Sequence, residues 1–287
     1  MRDPFLIEGP AVISFSGGRT SGYMLWRILQ AHGGGLPDDV RVVFANTGKE
    51  MPETLNFVQE CSERWNVPIT WIEYRPKTEE GKQEAVVDWH TASRNGEPFA
   101  ALIADRKYLP NPVARICTVE LKVRAMHRHI KESFGWTEWT SCIGMRADEQ
   151  RRVAKLKNTF EGSHEERIAP LAQAGLTVSD VSKFWASQPF DLRLPNMNGK
   201  TMHGNCDLCF LKGAKQIYAL IREQPERAVW WMEQEKRIST IGVHSAPGTA
   251  TFRSDRPSYK TMYENALSQD EMFKFDDEAL EDCSCTD

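Results

Sequence analysis

The sequence predicts an α/β protein: a doubly wound, mostly parallel sheet with a smaller helical region at its C-terminal end. Three observations carry this expectation. Over the first half of the 287 residues, short apolar runs alternate with amphipathic segments of helical period. A glycine-rich turn stands at the first strand-to-helix junction. After about residue 160 the strand-like runs give way to helical ones. Strands separated by helices imply parallel neighbours joined by right-handed crossovers. The expected division is a nucleotide-binding α/β domain over 1–160 and a helical, cysteine-containing region with an acidic tail over 161–287.

Each element has a local reason. Val12 to Phe15 (VISF) reads as a short apolar strand, and the helix after it carries Met24, Leu25, Ile28 and Leu29 on one face. Arg41 to Ala45 reads as a second buried strand. Pro52 opens a helix, because its missing N–H costs nothing in the first turn; Phe57, Val58, Cys61 and Trp65 stripe that helix. Ile69 to Tyr74 forms a third strand, and a charged, loop-rich stretch runs on to about residue 98. A helix is predicted over 119–134 and a further strand over 137–145. Short helices follow at 177–187, 213–223 and 225–237, with a Gly/Asn-rich loop from Pro195 to Asn205. Trp185, Trp230 and Trp231 are expected to pack this second half.

Composition excludes several classes. Apolar residues are 40% and charged residues 26%, ordinary for a globular protein and incompatible with a chain disordered throughout. No stretch approaches the ~18 uncharged apolar residues of a membrane-spanning helix. The N-terminus carries Asp3 and Glu8 and lacks the cationic start and apolar run of a secretory leader, so a cytoplasmic location and no membrane partner are expected. The net charge of −4 hides an asymmetry: residues 270–287 hold eight acids and one base. Residues 106–131 hold seven bases (Arg106, Lys107, Arg115, Lys122, Arg124, Arg128, Lys131) against Glu120 alone. Such a segment either meets a polyphosphate or nucleic acid or forms a solvated helix face.

The strongest local signal is Ser16-Gly17-Gly18-Arg19-Thr20-Ser21, between a strand and a helix. Two glycines let the backbone turn tightly, the helix start adds positive potential, and three hydroxyls add donors. Together these cradle phosphate oxygens. The spacing is neither that of a Walker A loop nor GxGxxG. The alternative is a plain turn in which Ser and Thr cap the helix.

VISFSGGRTS resembles the PP-loop, SGGxDS, of the adenine-nucleotide α-hydrolase superfamily. Asn46-Thr47-Gly48-Lys49-Glu50-Met51-Pro52-Glu53-Thr54 resembles the DTGxxFPET signature of its phosphoadenosine phosphosulfate (PAPS) reductase branch. Gly144-Met145-Arg146-Ala147-Asp148-Glu149-Gln150-Arg151-Arg152 resembles that branch's GxRxxES..R segment. The three blocks stand in the family's order across roughly residues 10–155. The resemblance implies ATP or PAPS as ligand, with Mg²⁺. It implies Ser16, Gly17, Gly18, Arg19, Thr20 and Ser21 around phosphates, and Asn46, Thr47, Gly48, Gly144 and Arg146 lining the pocket. Ser21, Arg146 and Arg152 would act on the phosphate chain, and Asp148 and Glu149 are candidates to assist Mg²⁺. Two positions depart from the pattern: Thr20 and Asn46 stand where the family has Asp. The intact SGG and Ser21 resemble ATP-cleaving members more than true PAPS reductases. The implied function is cleavage of ATP at the α–β phosphate and adenylation of an acceptor for sulfur transfer, with nucleic acid as the expected acceptor and the sulfur donor left open. The alternatives are a sulfonucleotide reductase and a nucleotide-binding regulatory protein without catalysis.

Of seven cysteines, Cys206 and Cys209 form a CxxC, Cys117 lies at the start of the basic helix, and Cys283 and Cys285 form a CxC in the acidic tail. Two thiolates at CxxC spacing can chelate one metal or two corners of a cluster. Members of the superfamily carry a [4Fe–4S] cluster, and the resemblance implies one here on Cys117, Cys206, Cys209 and either Cys283 or Cys285. Zinc on the same four thiolates is the rival, and Cys283 as a redox nucleophile is a further alternative. Cys61 and Cys142 fall on buried positions and read as core, and His127 and His129 read as surface donors on the basic helix.

Overall fold

A computed structural model describes residues 3–76, 84–156, 165–197, 199–241 and 250–268. Its centre is a six-stranded sheet of order β4-β3-β2-β1-β5-β6, formed by Ala11–Ser14 (β1), Val40–Asn46 (β2), Ile69–Tyr74 (β3), Glu84–Val87 (β4), Trp139–Ile143 (β5) and Glu165–Ile168 (β6). Every pairing is parallel except the edge pair β3–β4, which is antiparallel. The doubly wound α/β class is thus observed, and β4 is a strand inside the stretch expected to be loop. It is a short edge element with Val86 exposed, and its alternation is too brief to stand out among charged neighbours.

The pleat divides the core. Ala11, Ile13, Val42 and Phe44 face one side, where they meet Met24, Leu25 and Ile28 of α1 (Arg19–Ala31) and Phe57, Val58 and Cys61 of α2 (Pro52–Arg64). Val12, Val43, Ala45 and Ile72 face the other side, against Ala125 and Ile130. These two residues belong to a helix over 116–134, longer than the sequence predicts, with π-type turns at Val119–Arg124 and Ile130–Phe134. The central strand β1 is covered on both faces, as parallel strands require.

Residue 160, where the sequence pattern changes, precedes the last strand of this sheet. The first core extends further still: Leu171, Val181, Phe184, Trp185, Phe190, Leu192 and Leu194 all join it. Trp185 therefore packs against Phe57 of the sheet domain, not within the helical second half as expected, and its Nε1 donates to the Arg19 carbonyl (2.8 Å). Trp231 does fill the second core, together with Phe99, Leu121, Ile217, Leu220, Phe252 and Tyr259. That core is built from helices Glu97–Arg106, Ala214–Glu223, Glu226–Ile241 and Tyr259–Ser268 and includes Cys117, Cys206 and Cys209. Among the described residues no helix is long and apolar enough to cross a membrane.

Candidate nucleotide-binding site

The chain runs from β1 outward through β2 and β3, then returns to the other side of β1 as β5. The carboxyl ends of β1 and β5 are therefore the topological switch point, where open α/β sheets bind ligands. The first motif block leaves β1 and the third leaves β5, so the order of strands brings them together.

In the first block, Gly17 has φ +73°, and a Cβ there would lie 2.7 Å from Thr54 Cγ2. Glycine is required both by the turn and by the approach of α2. Ser21 Oγ accepts the N–H groups of Ser16 (3.2 Å) and Gly18 (3.3 Å) and lies 3.0 Å from both Ser16 Oγ and the Gly18 carbonyl. Its hydroxyl thus shapes the loop from within, which differs from the direct role on phosphate that the resemblance implies. The amides of Arg19 and Thr20 belong to the first turn, which a helix leaves without intrahelical acceptors. The Arg19 side chain turns away: it pairs with Asp191 through Nε (2.7 Å) and Nη2 (2.5 Å), and donates to Thr201 Oγ1 and the Leu194 carbonyl (both 2.9 Å). The expected phosphate contact of this side chain is replaced by a buried tie to the segment after residue 190.

The third block closes on the first. A Cβ at Gly144 would lie 3.1 Å from Ser21 Cα, so the β5 end and the loop are in backbone contact. Arg146 Nη1 donates to Thr20 Oγ1 (3.1 Å), and Nε to Asp148 Oδ1 (3.2 Å). Glu149 accepts the Arg146 backbone N–H (2.9 Å) and also pairs with Arg152. Glu149 thus ties the two arginines together, and Arg146 reaches the loop through Thr20. Glu149, engaged by two cations, is a poor candidate for Mg²⁺; Asp148 is the more exposed of the two acids. Arg151 is exposed.

The second block is more internal than expected. Asn46 is fully buried; its Nδ2 donates to Glu73 Oε1 (2.6 Å) and the Ser93 carbonyl (2.9 Å), and its Oδ1 accepts the Gly48 N–H (3.1 Å). An amide is the side chain that satisfies this site, since Glu73 supplies an acceptor and Gly48 a donor. Thr47 Oγ1 donates to Glu50 (2.8 Å) and lies 3.5 Å from Cys206 Sγ. Burial pushes the Glu50 carboxyl up, opposed by Lys122 and by the hydrogen bonds from Thr47. Gly48, at φ +77°, accepts from the Gly96 N–H (2.8 Å).

A cleft with a cavity of about 100 Å³ opens beside the loop. Its walls are Ser14, Phe15 and Ser16 after β1, Ala45 at the end of β2, and Ile143 and Met145 after β5. Lys122, His127, Arg152, Lys155 and Arg167 bring basic groups to it, and among the described residues Glu165 is the one acid on its wall. Of the expected site residues, Ser16 and Arg152 line this cleft, and Gly17, Gly18, Arg19, Thr20, Ser21, Asn46, Thr47, Gly48, Gly144 and Arg146 are not on its wall. Sequence reasoning missed Lys155, Glu165 and Arg167, which carry no local motif, and placed His127 on the surface. Within the basic segment, Arg106 and Arg124 pair with Glu120 (2.8 and 2.6 Å), and Arg128 with Glu84 (3.2 Å).

The cysteine loop packs directly on the second block. Cys206 bridges Glu50, and the Asp207 N–H donates to the Lys49 carbonyl (2.8 Å). Lys49 Nζ pairs with Asp207 Oδ2 (2.9 Å), both side chains buried, and Trp231 Nε1 donates to Asp207 Oδ1 (2.9 Å). Lys212 Nζ donates to the carbonyls of Gly204 (2.6 Å) and Cys206 (2.9 Å). Cys117, Cys206 and Cys209 share the second core, yet among the described residues no group of three or more His, Cys, Asp or Glu is placed to hold a metal ion. Cys283 and Cys285 lie outside the described residues. Cys61 and Cys142 are core, and burial pushes both thiols up, Cys142 to about 12. They are inert at neutral pH.

The fold is thus an α/β protein with a mostly parallel sheet that carries a glycine loop at its switch point. Residues 10–188 match the family model described as the phosphoadenosine phosphosulfate reductase domain, and the chain belongs to that family. It is 32% identical over 213 residues to the Uncharacterized nin region protein ORF290 of Escherichia phage lambda, covering 72% of this chain and 67% of that protein.

Proposed function

We propose that the protein binds ATP in the cleft at the switch point, cleaves it between the α and β phosphates and activates an acceptor by adenylation for sulfur transfer. The observation that carries this reading is the meeting of the intact SGG loop with Arg146 and Arg152 beside one basic cleft. First-turn amides and arginines are donors suited to charge that develops on departing pyrophosphate. Mg²⁺, when bound with the nucleotide, adds Lewis-acid stabilisation. The departures at Thr20 and Asn46 have reasons within the fold, since Thr20 receives Arg146 and Asn46 satisfies Glu73. ATP is expected to raise the melting temperature, as a ligand specific to the folded state must, and incubation with ATP and Mg²⁺ to release pyrophosphate. The family's description supports a second reading, a PAPS reductase. Stabilisation by PAPS with no effect of saturating ATP, and sulfite release with a thiol donor, would replace the first reading by the second.

The shared burial of Cys117, Cys206 and Cys209 beside the second block supports a thiolate centre completed by Cys283 or Cys285. Iron–sulfur and zinc both suit such donors. Anaerobically purified protein is expected to be brown, with iron and acid-labile sulfide in near-equal amounts. Cys206→Ala and Cys209→Ala should bleach it, and Cys61→Ala should not. Colourless protein with stoichiometric zinc replaces the cluster by zinc; colourless, metal-free protein removes the centre altogether.

A further inference from the structure

We propose that His127 is the general base of the cleft, taking the proton from the nucleophile that attacks the α-phosphorus of bound ATP, with Glu165 as its positioning residue. This rests on the ATP-cleaving reading above and identifies a residue that serves it.

His127 projects from the 116–134 helix and lines the same cleft as Ser16 of the glycine loop. Its Nε2 lies 3.1 Å from Glu165 Oε2. Glu165 is buried and has two further donors: Ser141 Oγ to Oε1 (2.5 Å) and Arg167 Nε to Oε2 (2.9 Å). Trp139 Nε1 donates to Ser141 Oγ (3.1 Å), and the Trp139 ring stands edge-on to the imidazole at 5.1 Å. The carboxylate is thus fixed by strand residues on both sides, and it fixes the ring. Burial works against its charge, but the hydrogen bonds from His127 and Ser141 hold the Glu165 carboxyl below its ordinary value. An ionised carboxylate accepting from Nε2–H selects the tautomer with a lone pair on Nδ1, the relation between base and orienting acid that recurs in acyl-transfer enzymes. Among the described residues, the other charged groups facing this part of the cleft are Arg167 from β6, Arg152 and Lys155 from the helix Gln150–Lys155, and Lys122 on the same helix as His127.

The step balances without a redox partner. An acceptor O–H or N–H, or water in its absence, forms a bond from oxygen or nitrogen to the α-phosphorus. The bond from that phosphorus to the oxygen bridging to the β-phosphate breaks, and pyrophosphate leaves with the electron pair. The proton passes to His127 Nδ1. With water the products are AMP and pyrophosphate.

The test follows pyrophosphate release from ATP and Mg²⁺ with water as acceptor, across about pH 5 to 9, where imidazole titrates. Wild type should show a limb that falls toward acid. His127→Gln should lower the rate by about a hundredfold, within the usual range for a general base, abolish that limb, and keep the stabilisation by ATP. Glu165→Gln should lower the rate while keeping the stabilisation by ATP, and Glu165→Asp, which restores the carboxylate, should recover part of the rate. If His127→Gln does not fold, Glu165→Gln decides: a folded variant with a lowered rate that Glu165→Asp partly recovers supports the proposal, and the wild-type rate overturns it. A folded His127→Gln with the wild-type rate and limb overturns it. So does wild-type protein that ATP stabilises but that releases no pyrophosphate, leaving nucleotide binding intact. Absence of stabilisation by ATP removes the ATP reading itself.

Discussion

Asn46→Asp, which restores the residue of the family motif, is expected to destabilise the protein by about 1–3 kcal/mol at neutral pH, since it replaces a buried hydrogen bond to Glu73, whose carboxylate Arg75 pairs at 2.8 Å, by a like-charge contact. In the native protein the Asn46 amide donates to a Glu73 carboxylate that is itself fully buried. An aspartate would put a second carboxylate 2.6 Å from the first. Two such groups in one dry site keep a proton between them in the folded state and lose it when unfolded. The folded variant then binds more protons than its unfolded chain, so its stability falls as pH rises. The deficit against wild type should therefore shrink on acidification toward about pH 4, where unfolded carboxyls also take up protons. Urea melts of both proteins across this range check the sign. A variant as stable as wild type at neutral pH would mean that Asn46 and Glu73 are not the buried pair described.

Gly17→Val should abolish stabilisation by ATP. The backbone at φ +73° is disfavoured for any residue with a Cβ and strongly so for a β-branched one, at a cost on the order of 1–3 kcal/mol. The new Cβ would also meet Thr54 Cγ2 at 2.7 Å, so either α2 or the loop has to move. Movement of the loop removes the amide cradle. Gly35→Ala, where an added Cβ meets open space, is the matched control and should melt with ATP as wild type does. Circular dichroism establishes whether the Gly17 variant folds. A folded Gly17→Val with an undiminished ATP shift would place the nucleotide elsewhere.

Local chemistry made much of the fold legible. Strands β1, β2, β3 and β5 and the helices on their flanks follow from apolar period, from Pro52 and from the glycine turn, all signals that act within a few residues. The motif blocks at residues 16–21 and 144–152 were legible for the same reason: each is a loop whose geometry is local. What depended on distant partners was not. β4 and β6 are four-residue strands whose identity comes from the neighbours they pair with. Arg19 reads as a phosphate ligand until Asp191, 172 residues away, takes its guanidinium. Asn46 reads as a degraded motif until Glu73 and Ser93 account for its amide. His127 reads as a surface base until β6 brings Glu165 to its ring. By itself, then, the sequence determined the class of fold and the loop that faces the switch point, because period, turn and cap are short-range. Tertiary structure decided which charged side chains line the cleft and which are consumed in holding it, because a buried charge goes to whichever partner the packing places within hydrogen-bond reach.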